Sequence, residues 1–140
     1  VDFVPVDFNA ESVDEKLREH EGFESGQHSV IMLEGVTQYI PKESTADTLK
    51  RLRTVVSPGS TLLITYSPAE WVANVHNSKK PVAMRKLLHS AKIVGEPWIS
   101  GWTPEEFAAF LKDMGYLVMS DTTAENYNDM YMGAVGRRLD

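Results

Sequence analysis

Two short runs of continuous apolar residues constrain this chain most. They lie in "HSVIML", residues 28–33, and "TLLITY", residues 61–66. A strand with no polar alternation has no solvent face, and such strands belong in parallel sheets covered on both sides. The segment between them is helical. Pro41 opens it, Leu49, Leu52, Val55 and Val56 form an apolar stripe, and "SPGS" at 57–60 stops it. Strand, helix and strand in this order predict a parallel pair joined by a helical crossover.

The flanking segments extend the pattern. "VDFVPVDF" at the amino end reads as an edge or short strand, because Pro5 removes a ladder donor. Ser12 and Glu15 have capping-box spacing, which predicts a short helix to about His20. "EGFESGQ" reads as a loop. Two helices are predicted around Ala69–Val75 and Pro81–Ile93, followed by a loop, "GEPWISGW". "TPEEFAAFLKDMGY" is the clearest helix. Thr103 is its N-cap, Pro104 and Glu106 occupy N1 and N3, and Phe107, Phe110, Leu111 and Met114 share a face before Gly115. "YLVMSD" and "MYMGAVGRR" read as the last two strands, joined by the polar loop "TTAENYND". The order predicts one α/β domain over residues 1–140, mostly parallel, with an antiparallel strand near the end.

Composition removes several classes of function. The net charge is −6, so no basic footprint for nucleic acid exists and an anionic membrane surface is disfavoured. The chain has no cysteine, which excludes disulfides, thiolate zinc sites and cysteine nucleophiles and fits a cytoplasmic protein. No apolar run approaches the roughly 20 residues of a membrane span. The sequence begins without Met inside a strand-like run, so a piece of a longer protein is expected.

Motifs for nucleotide loops, zinc helices and serine elbows are missing. His20, His28, His76 and His89 are scattered without metal-ligand spacing. The candidates are therefore residues at strand ends. Ligands in open parallel sheets bind outside the carboxyl ends of the strands. Glu34 and Gly35 stand at such an end, where a carboxylate can accept from a ligand and a glycine lets backbone approach it. Local capping by Glu34 and simple turn formation by Gly35 are the alternative. Asp7 ends the first strand-like run and has the same two readings: a ligand acceptor or an acid preceding a helix. Trp98 and Trp102 either wall a pocket or pack beneath their loop. Tyr39, Tyr66 and Tyr127 are further candidates for the crevice. Lys79, Lys80, Arg85 and Lys86 read as a solvated helix face.

Taken together, "VPVDF", "GFESGQHSVIMLEGVTQYIP", "SPGSTLLITY" and "GEPWISGWTPEEFAAFLKDMGY" resemble the second half of the leucine carboxyl methyltransferase family, from Val4 to about Tyr116. The resemblance implies a partial Rossmann-like class I methyltransferase sheet. Strands 4-5-7-6 with flanking helices would form it, with "VDFVPVDF" as a remnant of strand 3. It implies S-adenosylmethionine as cofactor, with Asp7 near the adenine, Phe8 beside it, and Leu33, Glu34 and Gly35 along the methionine part. The family's glycine-rich cofactor loop and ribose-binding acid have no counterpart here. The isolated chain is therefore expected to bind cofactor weakly or not at all. The first strand would lack its native neighbours, leaving it disordered or paired with the edge of strand 4.

The implied activity is O-methylation of a small-molecule carboxyl or hydroxyl group, with Trp71–Trp102 as substrate cover. No residue can be named as a catalytic base. An open sheet edge would also allow a homodimer by strand pairing. The alternative is a non-catalytic α/β interaction or binding domain without the cofactor loop.

Overall fold

The computed structural model describes residues 1–8, 10–73 and 82–138. Its centre is the predicted crossover unit. Strand β1, Val30–Leu33, pairs in parallel with β2, Thr61–Ile64, in the register Val30 with Thr61 through Leu33 with Ile64. Hydrogen bonds continue the pairing at both ends: Thr61 N–H donates to Ser29 O at 2.9 Å, and Thr65 N–H to Leu33 O at 3.1 Å. Helix α1, Val13–Glu19, precedes β1, and α2, Lys42–Leu52, makes the crossover. Helices α3, Ala69–Ala73, α4, Val82–Ile93, and α5, Pro104–Asp113, follow β2. The predicted helix ends at Val75 and Pro81 lie outside the described residues, as do His76, Lys79 and Lys80.

The core occupies one face of this sheet. Leu49 of α2 and Phe107 and Leu111 of α5 enclose Trp102, and Leu62, Ile64 and Tyr66 pack against them. Phe107 stacks on Tyr66 with ring centroids 4.1 Å apart and meets Trp102 edge-on at 5.2 Å. The predicted capping box of α5 is present, with Thr103 Oγ1 accepting from Glu106 N–H and Glu106 accepting from Thr103 N–H. At the far ends, Arg53 donates to Met114 O at 3.0 Å and Tyr116 OH donates to Leu49 O at 2.8 Å. Burial pushes the Tyr116 hydroxyl pKa up.

The opposite sheet face departs from expectation. Val30 and Met32 are 68% and 65% exposed, and Leu63 is also exposed. The apolar runs were expected to be covered on both sides, but alternate residues face solvent because α2 and α5 pack on the same side.

The expected four-strand array with its strand 3 remnant is not formed: two strands pair among the described residues. Val1–Asp7 makes no ladder. Pro5 supplies no donor, and the run does not pair with the edge of β1. "YLVMSD" is also without a ladder, leaving Leu117 and Met119 exposed. The supposed loop and last strand are helical instead: α6, Ala124–Tyr127, continues through a wide turn, Asn128–Met132, and a tight one, Gly133–Val135. Thr123 and Asn126 form a capping box that starts this helix inside the polar stretch. A strand needs a neighbour for its backbone groups, whereas a helix satisfies them within itself.

Helix α1 also differs at its start. Ser12 occupies the N-cap, but its side chain makes no cap bond; its hydroxyl donates to Asp14. Asp14, only 7% exposed, also accepts from Arg18 and from Arg51 of α2 at 3.4 Å. The Ser12 bond, with the two arginines behind it, holds the Asp14 carboxyl pKa at about 2, below its ordinary 3.8. The ionised form is thus favoured by folding, so its contribution is present above about pH 4 and lost as pH falls toward 2. In acid denaturation series, Asp14→Asn should flatten the stability loss over that window. An unchanged slope would show that the α1–α2 tie contributes nothing.

Candidate functional site

The carboxyl ends of β1 and β2 are bound to each other by side chains. Gly35 N–H donates to Thr65 Oγ1 at 2.9 Å, and the buried Thr37 hydroxyl donates to Thr65 O at 2.8 Å. Gly35 has φ +68°, a left-handed conformation that costs a residue with Cβ about 1–2 kcal/mol. The chain then turns, with Tyr39 N–H donating to Val36 O at 3.0 Å.

A second loop is fastened to this turn. Ile99 N–H and Ser100 N–H both donate to Gln38 O, at 2.7 and 3.3 Å, and Ser100 Oγ donates to Ile40 O at 2.6 Å. Trp102 continues beside Pro68, donating from its N–H to Ser67 O at 2.9 Å. Gly101 sits where added Cβ would meet Ala69 Cα, Pro68 O and Val72 Cγ2, each at 3.0 Å.

Between these segments is an open depression of about 430 Å³. Val6–Phe8 line one part, Gly35, Val36, Tyr39 and Ile40 another, and Gly95–Pro97 with Ile99 the third. Three of the five predicted cofactor residues, Asp7, Phe8 and Gly35, therefore share one concavity. Leu33 and Glu34 do not line it: Leu33 is buried beneath the sheet and Glu34 is exposed. Asp7 does not cap α1, whose N-cap is Ser12. It begins a turn in which its carbonyl accepts from Ala10 N–H at 3.0 Å and Glu11 N–H at 2.7 Å. Its own N–H donates to Glu11 Oε2 at 2.8 Å. That bond, followed by Lys16, lowers the Glu11 carboxyl pKa. Glu11 thus anchors the backbone at Asp7, a role its place in a charged stretch gave no reason to expect.

The aromatic candidates divide. Trp102 is 2% exposed and belongs to the core. Trp98 lies partly exposed on the loop, 6.2 Å from Tyr39 and 6.4 Å from Trp71 by ring centroids. Tyr39 lines the depression. Tyr66 is turned into the core and donates to Asp121 Oδ2 at 2.7 Å; burial and then that carboxylate push its hydroxyl pKa up. Tyr127 pairs instead with Tyr131 on the last helix.

A larger cleft, about 650 Å³, runs between α1 and α2. Its two basic residues are paired with carboxylates, Lys16 with Glu11 at 3.0 Å and Arg51 with Asp47 at 2.6 Å, and Glu15, Glu19 and Glu43 also line it. It lies along helix flanks rather than at strand ends, so the smaller depression is the better site. No group of metal-binding side chains occurs among the described residues. No described helix is long and apolar enough to cross a membrane.

Comparison with known proteins points the same way as the sequence. Residues 1–53 match the leucine carboxyl methyltransferase family profile. The resemblance to that family stands. Over 129 residues, 92% of the chain, it is 28% identical to "Putative S-adenosyl-L-methionine-dependent methyltransferase YktD" of Bacillus subtilis (strain 168). The chain spans 41% of that relative's length. No solved structure matches it significantly.

The close fit at Gly101 yields a direct check on the loop. Gly101→Ala should push the 98–102 segment off Pro68 and Ala69 and unseat Trp102. A lowered melting temperature with red-shifted tryptophan fluorescence is expected; unchanged values would mean that the loop is not held by this approach.

Proposed function

We propose that this chain is the carboxyl-terminal portion of an S-adenosylmethionine-dependent O-methyltransferase acting on a small molecule. The observation that carries the reading is the meeting of Asp7, Phe8 and Gly35 in one depression at the strand ends. The segment matching the methyltransferase family, residues 1–53, contains all three. The relative's name supplies the cofactor class.

The lining suits that cofactor. S-adenosylmethionine carries a sulfonium, an ammonium and a carboxylate, a net positive charge, and the ionisable side chains of the depression are the carboxylates of Asp7 and Glu96 and the Tyr39 phenol. Asp7 would accept from the adenine amine, and Phe8 would pack on the ring. Gly35, without a side chain, would let backbone pass close to the methionine part. The bound cofactor supplies an already activated methyl group. The protein's part is to hold acceptor and methyl in line and to exclude water. The uncovered face at Val30, Met32 and Leu63 is read as a surface that the rest of a larger sheet-and-helix domain covers. That exposed face would equally suit a non-catalytic interaction domain, and cofactor binding separates the two readings.

Calorimetric titration of the full-length protein with S-adenosylhomocysteine is the test. Binding should weaken about tenfold in Asp7→Ala, the loss of a hydrogen bond to a charged group. No binding by the wild-type protein, or undiminished binding by the variant, would remove the depression from consideration as the cofactor site.

A further inference from the structure

Charge is unevenly spread along the chain. The 25 residues between Glu70 and Glu96 hold five of the 14 basic residues and none of the 20 acidic ones. This segment therefore carries +5, while the rest, with nine basic residues against 20 acidic, carries −11. Lys79 and Lys80 lie outside the described residues; Arg85, Lys86 and Lys92 stand on α4. Lys86 and Lys92 are exposed and Arg85 partly so, and none of the three forms an ion pair among the described residues.

Helix α4 is also sparsely packed. Of its 12 residues only Leu88 is buried, while Val82, Leu87 and Ile93, with Val94 just beyond, are exposed. A helix of this length is marginal in water without a packed face. Cationic groups beside bare apolar side chains suit an acidic protein surface.

Such a surface exists on the same molecule. The cleft between α1 and α2 presents five carboxylates against Lys16 and Arg51, both already paired. Glu15, Glu19 and Glu43 are left without an ion pair among the described residues, so none joins them to α4 within one copy. Phe8 lines both this cleft and the depression, and Gly95 and Glu96, which follow α4, line the depression too. Cationic helix and acidic cleft thus border one depression.

We propose that two copies of this protein associate by charge, with α4 of each lying along the α1–α2 cleft of the other and Arg85, Lys86 and Lys92 facing Glu15, Glu19 and Glu43. Reciprocal contacts about a two-fold axis close the assembly at two copies. The pairing uses helix surfaces rather than the open sheet edge. Net charges of −6 repel one another. That repulsion is screened beyond roughly 10 Å at about 0.1 M salt, whereas contacts near about 4 Å keep most of their attraction.

Sedimentation equilibrium of the full-length protein tests this. A dimer is expected at about 0.1 M salt, with its dissociation constant raised about tenfold or more at about 1 M. Two double variants follow, Lys86→Glu with Lys92→Glu and Glu15→Lys with Glu19→Lys. Each alone should be monomeric, since like charges then face each other in both contacts. Mixed in equal amounts, the two should form a heterodimer, because every contact again joins opposite charges. Melting curves check that both variants fold; if one does not, Lys92→Glu and Glu43→Lys carry the same mixing test. The proposal is overturned by a monomeric wild type, by a dimer indifferent to salt or to either variant, or by folded variants that stay monomeric when mixed. It is overturned equally by a monomer that sediments with phosphatidylglycerol vesicles, which would assign α4 to a lipid surface. S-adenosylhomocysteine binding decides the methyltransferase reading separately, so the two fail independently.

Discussion

Ile99–Trp102 is hydrogen-bonded on two sides, to Gln38 and Ile40 on one and to Ser67 and Ala69 on the other. Core and depression both depend on this stitch. Its inner end places Trp102 among Leu49, Phe107 and Leu111, where the aromatic core forms. Its outer end places Ile99 on the rim, with Tyr39 across the same turn. A two-stranded sheet is marginal by itself, and the stitch joins it to α5 and to the turn after β1. Substitutions in the loop should therefore be felt in the fold and at the site together.

The electrostatic character of the depression follows from the same arrangement. The turn after β1 contributes no charge to the lining, the loop contributes Glu96, and the amino-terminal run contributes Asp7. Two basic residues of and after α2 are turned toward the core side: Lys42 lies over the Trp102 ring at 4.9 Å, and Arg53 donates to Met114 O at the end of α5. The ionisable side chains of the lining are thus Asp7, Glu96 and Tyr39.

The sequence was most legible where a segment satisfies itself. The cap, proline and apolar face of α5 are all local, and each is found as expected. The crossover between β1 and β2 was legible because its apolar strands and striped helix admit few arrangements. Strands that depend on distant partners were not legible. "VDFVPVDF" and "YLVMSD" have strand composition, yet no neighbour completes their ladders. Asp14 was missed because Arg51, which helps to bury it, lies 37 residues away. At the site, Asp7, Phe8 and Gly35 were found as candidates and meet in the structure, while Leu33 turned inward and Glu34 outward. Strict alternation along a strand explains that split, since adjacent side chains point to opposite sides. Trp98 and Trp102 could not be told apart, because only packing decides which ring joins the core.

The central claim is that the depression at the strand ends, rather than the larger cleft between α1 and α2, holds the cofactor. Hydrogen–deuterium exchange of the full-length protein, with and without S-adenosylhomocysteine, tests it most directly. The account predicts slowed exchange in residues 6–8 and 35–40 and none in α6. Protection confined to α1 and the start of α2, or no protection in either region, would contradict it.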